Sequence, residues 1–140
     1  MTASFAFWTG KFMDKFIGEL KNKHFMGIKC TKCQRVIVPP RAVCGNCNAS
    51  TRDWVSLPGT GTVENYTVTN LQLGDKKTKK LKTDIVIGMI KLDGADTTFV
   101  WSIGEVDPQK VKIGMKVQAV WNENLAGEYK DLKYFKPLEE

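Results

Sequence analysis

The residues best suited to chemistry in this chain are its four cysteines, which all lie between positions 30 and 47 in the segment CTKCQRVIVPPRAVCGNC. They form two CxxC pairs separated by ten residues. A CxxC turn can place two sulfurs on one metal ion, and zinc prefers four thiolates arranged as a tetrahedron. The spacing therefore predicts one zinc ion held by Cys30, Cys33, Cys44 and Cys47. A rubredoxin-type iron site and disulfides are the alternatives.

The predicted metal has a structural role. Four cysteine ligands complete the coordination shell, so no position remains for a water or a substrate. Binding of the ion would supply folding free energy to a segment too small for a hydrophobic core of its own.

Groups that could carry out catalysis are scarce elsewhere in the sequence. All four thiols are committed to the metal, and His24, the single histidine, lies outside any catalytic motif. A general base needs an orienting partner, and the sequence supplies none for this residue. GxSxG, Walker and HExxH patterns are also missing. We therefore predict that the chain is not an enzyme by itself.

Length and composition indicate one main globular core. The chain has 140 residues, of which 42% are hydrophobic and 26% charged. Its apolar runs are too short to cross a bilayer, its amino end lacks a signal-peptide pattern, and we expect a cytoplasmic location. The net charge of +6 is largely local. Five lysines within one short run account for most of it: Lys76, Lys77, Lys79, Lys80 and Lys82.

An amino-terminal helix is predicted before the cysteines. Residues 4–26 read as an amphipathic helix or helix pair, because large apolar side chains recur at three- and four-residue steps: Phe5, Trp8, Phe12, Phe16 and Leu20. Such a stripe must cover apolar surface, either on this chain or on a partner.

The rest of the chain is predicted to be mainly β. Runs at 84–92 and 97–104 flank a glycine-containing turn and indicate a hairpin whose Phe99 and Trp101 are buried. A short turn-helix at Pro108, a strand near 115–121 and a last strand at 129–135 follow. Five short strands favour an OB-fold barrel, with a β-sandwich as the competitor. The predicted division is a helical segment at 1–26, a zinc ribbon at 27–54 and an OB-fold at 55–140.

Several motifs carry a family resemblance in this order: GIKCTKC, VPPRAVCGNC, Trp54, GTGTVENYTV, VIGMIKLDG and DPQKVKIGMKVQAVW. From about Phe7 to Pro137 the chain resembles the acyl-CoA-associated family of small zinc-ribbon plus OB-fold proteins, long catalogued as a domain of unknown function. Its members include the small subunit of benzoylsuccinyl-CoA thiolase.

The resemblance implies an accessory subunit of an acyl-CoA-processing complex. The expected partner is a thiolase-like catalytic subunit, or alternatively an HMG-CoA synthase or an enoyl-CoA hydratase. The amino-terminal helix and ribbon would grip this partner, and the barrel would lie near the entrance for the CoA ester. Two copies of each chain in a heterotetramer would be the simplest assembly. We expect the partner contact at Phe7, Trp8 and Phe12, with packing inside the chain as the alternative.

The lysine run has three interpretations: a solvated loop, a contact to the phosphates of CoA or to a partner, and a contact to nucleic acid. OB-folds and zinc ribbons both occur in proteins that bind single strands, so such a binder is the alternative function. Stacking aromatic residues would then have to interleave with the basic ones.

Overall fold

The computed structural model describes Ser4, residues 8–72 and residues 77–139. Within these residues the chain forms a small three-stranded sheet and a closed five-stranded barrel. The helix and strands have the following bounds: α1 Gly10–Glu19, β1 Phe25–Cys30, β2 Val36–Ile37, β3 Thr51–Leu57, β4 Thr60–Gln72, β5 Lys79–Leu92, β6 Phe99–Ile103, β7 Lys116–Trp121 and β8 Leu132–Pro137. None of the helices in the described part of the chain has the length and apolar character needed to span a bilayer.

The three-stranded sheet has the order β2-β1-β3, and both pairings are antiparallel. Strand β1 is central: Ile28 pairs with Ile37 of β2, and Phe25 pairs with Leu57 of β3. This sheet carries the first cysteine, because Cys30 is the last residue of β1.

The barrel has the strand order β4-β5-β6-β8-β7 and closes where β7 pairs with β4. The β5–β6 hairpin has the expected antiparallel register, with Ile87 opposite Ser102. A parallel contact between β6 and β8 joins Ile103 to Phe135. The prediction of a mainly β protein with an amino-terminal helix, a four-cysteine ribbon and a five-stranded OB-fold is therefore confirmed.

Three predicted elements differ from the observed ones. The predicted helix over 4–26 is too long: α1 ends at Glu19, a 3₁₀ turn follows over Leu20–Asn22, and Phe25 begins β1, where it pairs with Leu57 of β3. The last strand begins at Leu132, because residues 129–131 form another 3₁₀ turn. Of the lysine run, predicted as a loop, Lys79, Lys80 and Lys82 lie on β5. The division at 26 and 54 remains a prediction.

An aromatic cluster centred on Phe25 forms the barrel core. Phe25 is fully buried, and its ring centroid lies 5.9 Å from that of Phe135 and 6.0 Å from that of Phe99. Two buried residues of the helical segment, Phe16 and Leu20, belong to the same cluster. The amino-terminal segment therefore covers part of the barrel core with its own apolar face.

The ribbon is tied to the barrel by hydrogen bonds at the β5–β6 turn. The backbone N–H of Val36 donates to the Asp96 carboxylate at 2.9 Å. The Thr97 hydroxyl accepts from the N–H of Val38 and donates to its carbonyl oxygen, both at 2.8 Å. Because Val36 and Val38 are also buried in the barrel cluster, strand β2 and the residue after it are held on the barrel.

A buried carboxylate organises the loop between β7 and β8. Asp131 is 1% exposed and accepts hydrogen bonds from the N–H groups of Ala126, Gly127 and Glu128. Burial raises the pKa of this carboxyl, but the three N–H donors outweigh it and hold the pKa below its usual range. Gly127 has a φ of +79°, and a side chain there would meet the backbone of Gly18 in α1 at 3.5 Å. The loop thus packs closely against the helix.

Candidate metal centre

The four cysteine sulfurs converge on one point. All lie within 4.8 Å of one another, with 3.4 Å between the Sγ atoms of Cys30 and Cys47 and 3.7 Å between those of Cys33 and Cys44. A zinc–sulfur distance of about 2.3 Å gives a tetrahedron with edges of about 3.8 Å, so these separations suit one ion. They are far longer than a disulfide bond of about 2.05 Å. The predicted set of four residues is therefore brought together in space.

Backbone amides point at the sulfurs, as the two CxxC turns predict. The N–H of Lys32 lies 3.4 Å from the Sγ of Cys30, and the N–H of Asn46 lies 3.4 Å from the Sγ of Cys44. The N–H of Cys33 is the main cause that lowers the pKa of the Cys30 thiol to about 6. The amides of Asn46 and Cys47 lower the pKa of Cys44. Both thiols therefore favour the thiolate form that binds metal.

Cys47 behaves in the opposite way. The N–H of Ala49 lowers the pKa of its thiol, but the sulfurs of the other cysteines and burial outweigh that donor and raise the pKa to about 11. The pKa of Cys47 rises because negative charge is stabilised on Cys30, and a second thiolate 3.4 Å away from it is unfavourable. A divalent cation removes this conflict because it neutralises neighbouring thiolates. The donor set therefore fits a divalent ion such as zinc, which would stabilise the ribbon without an open coordination position.

The metal centre is covered by a small apolar cluster. Cys30 and Cys44 are buried with Ile28 and Ile37, and the partly buried Phe12 and Trp54 pack against them. This shell makes the centre part of the ribbon core.

The residues predicted to contact a partner are in different environments. Trp8 is 81% exposed, and its indole N–H donates to the Asp14 carboxylate at 3.2 Å. Phe12 packs within the chain, with its ring centroid 6.0 Å from that of Trp54. Phe7 lies outside the described residues. Of the two that the structure describes, Trp8 is the exposed one.

The lysine run lies at the far end of the β4–β5 hairpin. Lys77, Lys79, Lys80 and Lys82 are exposed, and β4–β5 pairing continues there, with Leu71 opposite Lys80. Lys76 lies outside the described residues. His24 is exposed near Glu19, with a 3.7 Å separation between Nδ1 and Oε2.

A groove of about 340 Å³ lies beside the ribbon, and no sequence motif indicates it. Arg35 and Arg41 line it together with Pro39, Thr97 and Thr98. The arginines stand on the ribbon and the threonines on the barrel, so only the tertiary structure brings them together. Their separation in sequence gives no local signal for the groove.

Two family models match this chain over the ribbon and the barrel. Residues 19–52 match the ChsH2 rubredoxin-like zinc ribbon domain, and residues 54–122 match the ChsH2 C-terminal OB-fold domain. A curated relative, the DUF35 domain-containing scaffold protein of Methanocaldococcus jannaschii, is 33% identical over 98 residues. That alignment covers 69% of this chain and 66% of the relative, which is just under two thirds of the relative's length.

Two solved structures share the fold. The first is the Ltp2-ChsH2(DUF35) aldolase, with a TM-score of 0.67 and 23% identity over 91% of this chain and 95% of the matched chain. The second is a DUF35-family protein of unknown function from Sulfolobus solfataricus, with a TM-score of 0.65 and 23% identity over 92% of this chain and 85% of the other. At this identity they establish likeness of fold alone. The family models and the curated relative, taken with the converging cysteines, show that this chain belongs to the ChsH2 (DUF35) family of zinc-ribbon and OB-fold proteins.

Proposed function

We propose that this chain is a non-catalytic accessory subunit that docks on the catalytic subunit of an acyl-CoA-processing complex. The observation that carries the proposal is the convergence of all four thiols, whose sulfurs lie within 4.8 Å of one another. A thiol that binds a structural ion cannot act as a nucleophile on a thioester. The reacting groups must then come from another polypeptide.

The names of similar proteins support such a role. The Methanocaldococcus jannaschii relative is called a scaffold protein, and one chain of similar fold belongs to an aldolase named for two components, Ltp2 and ChsH2. We infer that this chain also works within a hetero-oligomer. Because a reducing compartment keeps thiols available for metal, we propose that this assembly is cytoplasmic.

Among catalytic partners we propose a thiolase-like subunit, on the family resemblance described above. HMG-CoA synthases and enoyl-CoA hydratases are the alternatives of the same kind. If the partner is a two-fold symmetric dimer, two copies of this chain complete a heterotetramer by symmetry.

For the partner contact we propose the exposed start of the helical segment, with Trp8 as its main side chain and Phe7 and Phe12 beside it. Tryptophan is enriched among residues that dominate binding energy, and Trp8 is 81% exposed in the isolated chain. Replacement of Trp8 by alanine should weaken partner binding without changing the stability of the chain. Unchanged affinity would remove Trp8 from the contact.

A second proposed contact joins the lysine run to the phosphates of CoA. Lys77, Lys79, Lys80 and Lys82 are exposed, and CoA carries a diphosphate and a 3′-phosphate. Replacement of the run by glutamine, Lys76 included, should weaken the affinity of the complex for a CoA ester, and more strongly at low salt because screening is then weakest. An affinity that is unchanged at low ionic strength would exclude the contact.

The decisive experiment is purification of the tagged chain from its native source, followed by identification of what accompanies it and by metal analysis. The proposal expects a stoichiometric catalytic subunit and one zinc per chain. Turnover of a thioester by the isolated chain would contradict it.

The alternative of a single-strand binder has one favourable observation, the exposed lysines. Against it, Phe99 is buried, and Trp101 stacks on Phe99 with ring centroids 5.5 Å apart and is only partly accessible. These aromatic rings pack inside the barrel, whereas base stacking requires exposed rings. Recovery of nucleic acid in place of a catalytic subunit would favour the alternative.

A further inference from the structure

Exposed apolar side chains are concentrated on one part of the barrel. In the part of the chain that the structure describes, half of the ten exposed large apolar residues belong to β4, β5 and β6. They are Val68, Leu71, Ile85, Met89 and Val100. Single exposed apolar residues are ordinary, but a contiguous group marks an interaction surface.

Three of these residues form a continuous stripe with the partly buried Ile87 between them. Met89 of β5 lies directly opposite Val100 of β6, and Ile87 and Ile85 follow at two-residue steps along β5. Residues at such steps share one face of a strand. We call Ile85, Ile87, Met89 and Val100 the β5–β6 stripe.

The stripe faces away from the barrel core. Val86 and Ile90, which lie on the alternate face of β5, are 2% and 0% exposed, so this other face packs on the core. Ile85, Met89 and Val100 are 37%, 41% and 54% exposed. Core packing therefore does not explain why these positions are aliphatic.

Along β5 the stripe leads toward the basic end of the β4–β5 hairpin. Lys79, Lys80 and Lys82 lie on β5 before Ile85, and Lys77 precedes the strand. Asp84 is the one acidic residue between Lys77 and Ile85. Local positive charge beside an apolar surface complements a partner surface that is apolar and bordered by acidic groups.

The composition and charge of this surface favour a protein partner over an oligonucleotide or a second copy of this chain. OB-folds bind oligonucleotides on the face of their second and third strands, here β5 and β6, but base stacking requires aromatic rings, and the stripe is aliphatic. A second copy of this chain has the same net charge of +6, so mutual repulsion opposes its approach.

We propose that the β5–β6 stripe, with the lysine-bearing hairpin end beside it, is a docking surface for a protein whose contact patch is apolar with an acidic rim. This inference rests on the proposed function, and it assigns the patch to the catalytic subunit. The stripe belongs to β5 and β6, whereas Trp8 precedes α1, so this contact would be made by the barrel itself.

The test uses the complex purified from the native source. Untagged variants of this chain compete with the tagged wild-type chain for the catalytic subunit, and the competition measures their affinity relative to wild type. Met89→Glu/Val100→Glu should reduce affinity by about 30-fold or more, as expected when central apolar contacts are lost. The matched control is Ile113→Glu, an exposed apolar residue before β7 that is 66% exposed, and it should change affinity by less than about twofold. Far-ultraviolet circular dichroism and zinc content check that each variant folds.

Charge-reversal variants test the lysine-bearing end of the β4–β5 hairpin. Lys79→Glu/Lys82→Glu should slow association at low salt and reduce the salt dependence of affinity, whereas Lys110→Glu/Lys112→Glu, two exposed lysines elsewhere, should not. Hydrogen exchange of the native complex should show slower exchange at 85–89 and 99–102 than in the isolated chain.

The outcomes separate the two proposals. If the wild-type chain brings down a catalytic subunit and Met89→Glu/Val100→Glu competes as well as wild type, the docking surface is wrong and the accessory role stands. If no catalytic subunit accompanies the wild-type chain, both are wrong. Binding of a 12-nucleotide oligo(dT) that the lysine variant abolishes would assign the surface to nucleic acid, and a dimer in sedimentation velocity that Met89→Glu dissociates would assign it to a second copy.

Discussion

The ribbon and the barrel of this protein are stabilised by different means. Among the described residues, the small cluster at the metal centre buries Ile28, Ile37 and two cysteines, whereas the cluster around Phe25 buries eighteen residues, including Val36 and Val38 of the ribbon. A segment with so few buried side chains depends on metal coordination for its folding free energy, and the barrel depends on apolar burial. The difference indicates that a bound ion would stabilise the ribbon rather than the barrel, although the two regions pack together.

The helix α1 connects the two regions. Phe12 packs on Trp54 in the ribbon cluster, and four residues later Phe16 is buried in the barrel cluster. One turn of helix therefore contacts both regions. Through this contact, destabilisation of one region can affect the stability of the other. The following predictions test that separation, from the largest expected effect to the smallest.

Metal removal should give the largest effect, and it should be confined to the ribbon. Treatment with a strong chelator at neutral pH removes folding free energy on the order of 10 kcal/mol from the ribbon. We expect the near-ultraviolet circular dichroism signal around Trp54 to fall while the far-ultraviolet strand signal of the barrel persists. A near-ultraviolet spectrum that does not change, with no metal released, would contradict structural zinc.

Phe25→Ala should destabilise the barrel most among single substitutions. It deletes a fully buried ring at the centre of the aromatic cluster, for which a loss of about 3–5 kcal/mol in unfolding free energy is expected. Guanidinium denaturation followed by tryptophan fluorescence measures this loss. Phe25→Leu keeps more of the volume and should cost less, and zinc content should stay at one ion per folded chain.

Asp131→Asn should have a smaller effect that depends on pH. The folded-state pKa of Asp131 is depressed, so its stabilising contribution is present above the unfolded pKa of about 3.9 and is lost as pH falls through the folded value. The stability difference between the wild type and the variant should therefore be large near neutral pH and shrink below about pH 4. Urea midpoints measured across this range test the sign, and a constant difference would contradict it.

Phe12→Ala should give the smallest loss, about 1 kcal/mol from the contact with Trp54. Because Phe12 belongs to the ribbon cluster, metal should become easier to remove while the barrel transition stays unchanged. Trp8→Ala is the control on the same segment, with a change within about 0.5 kcal/mol, since Trp8 is exposed. Equal effects on the ribbon and barrel transitions would show that the helix couples the two regions.

Local signals predicted much of this fold. The two CxxC pairs indicated one metal centre because each pair already brings two sulfurs together within a turn. Alternating apolar residues around Phe99 and the glycine-containing turn predicted the β5–β6 hairpin for a similarly local reason.

Elements whose form depends on distant residues could not be predicted in this way. The end of the helical segment was misplaced because Phe25 pairs with Leu57, more than thirty residues away. The lysines were expected in a loop, but the pairing of β5 with β4 extends to Lys79, which lies opposite Gln72. Residues 129–131 form a 3₁₀ turn at Asp131, whose carboxylate accepts three backbone N–H groups.

The amino-acid sequence alone determined the four cysteines of the candidate metal centre and the main strands of the barrel, because these depend on spacing over a few residues. Only the tertiary structure decided which apolar residues are covered: Phe16 is buried in the barrel, whereas Trp8, Met89 and Val100 remain exposed. Whether a side chain is buried depends on which other residues pack against it. The periodicity of one segment predicts an apolar face, but the covering surface comes from residues far along the chain or from another protein.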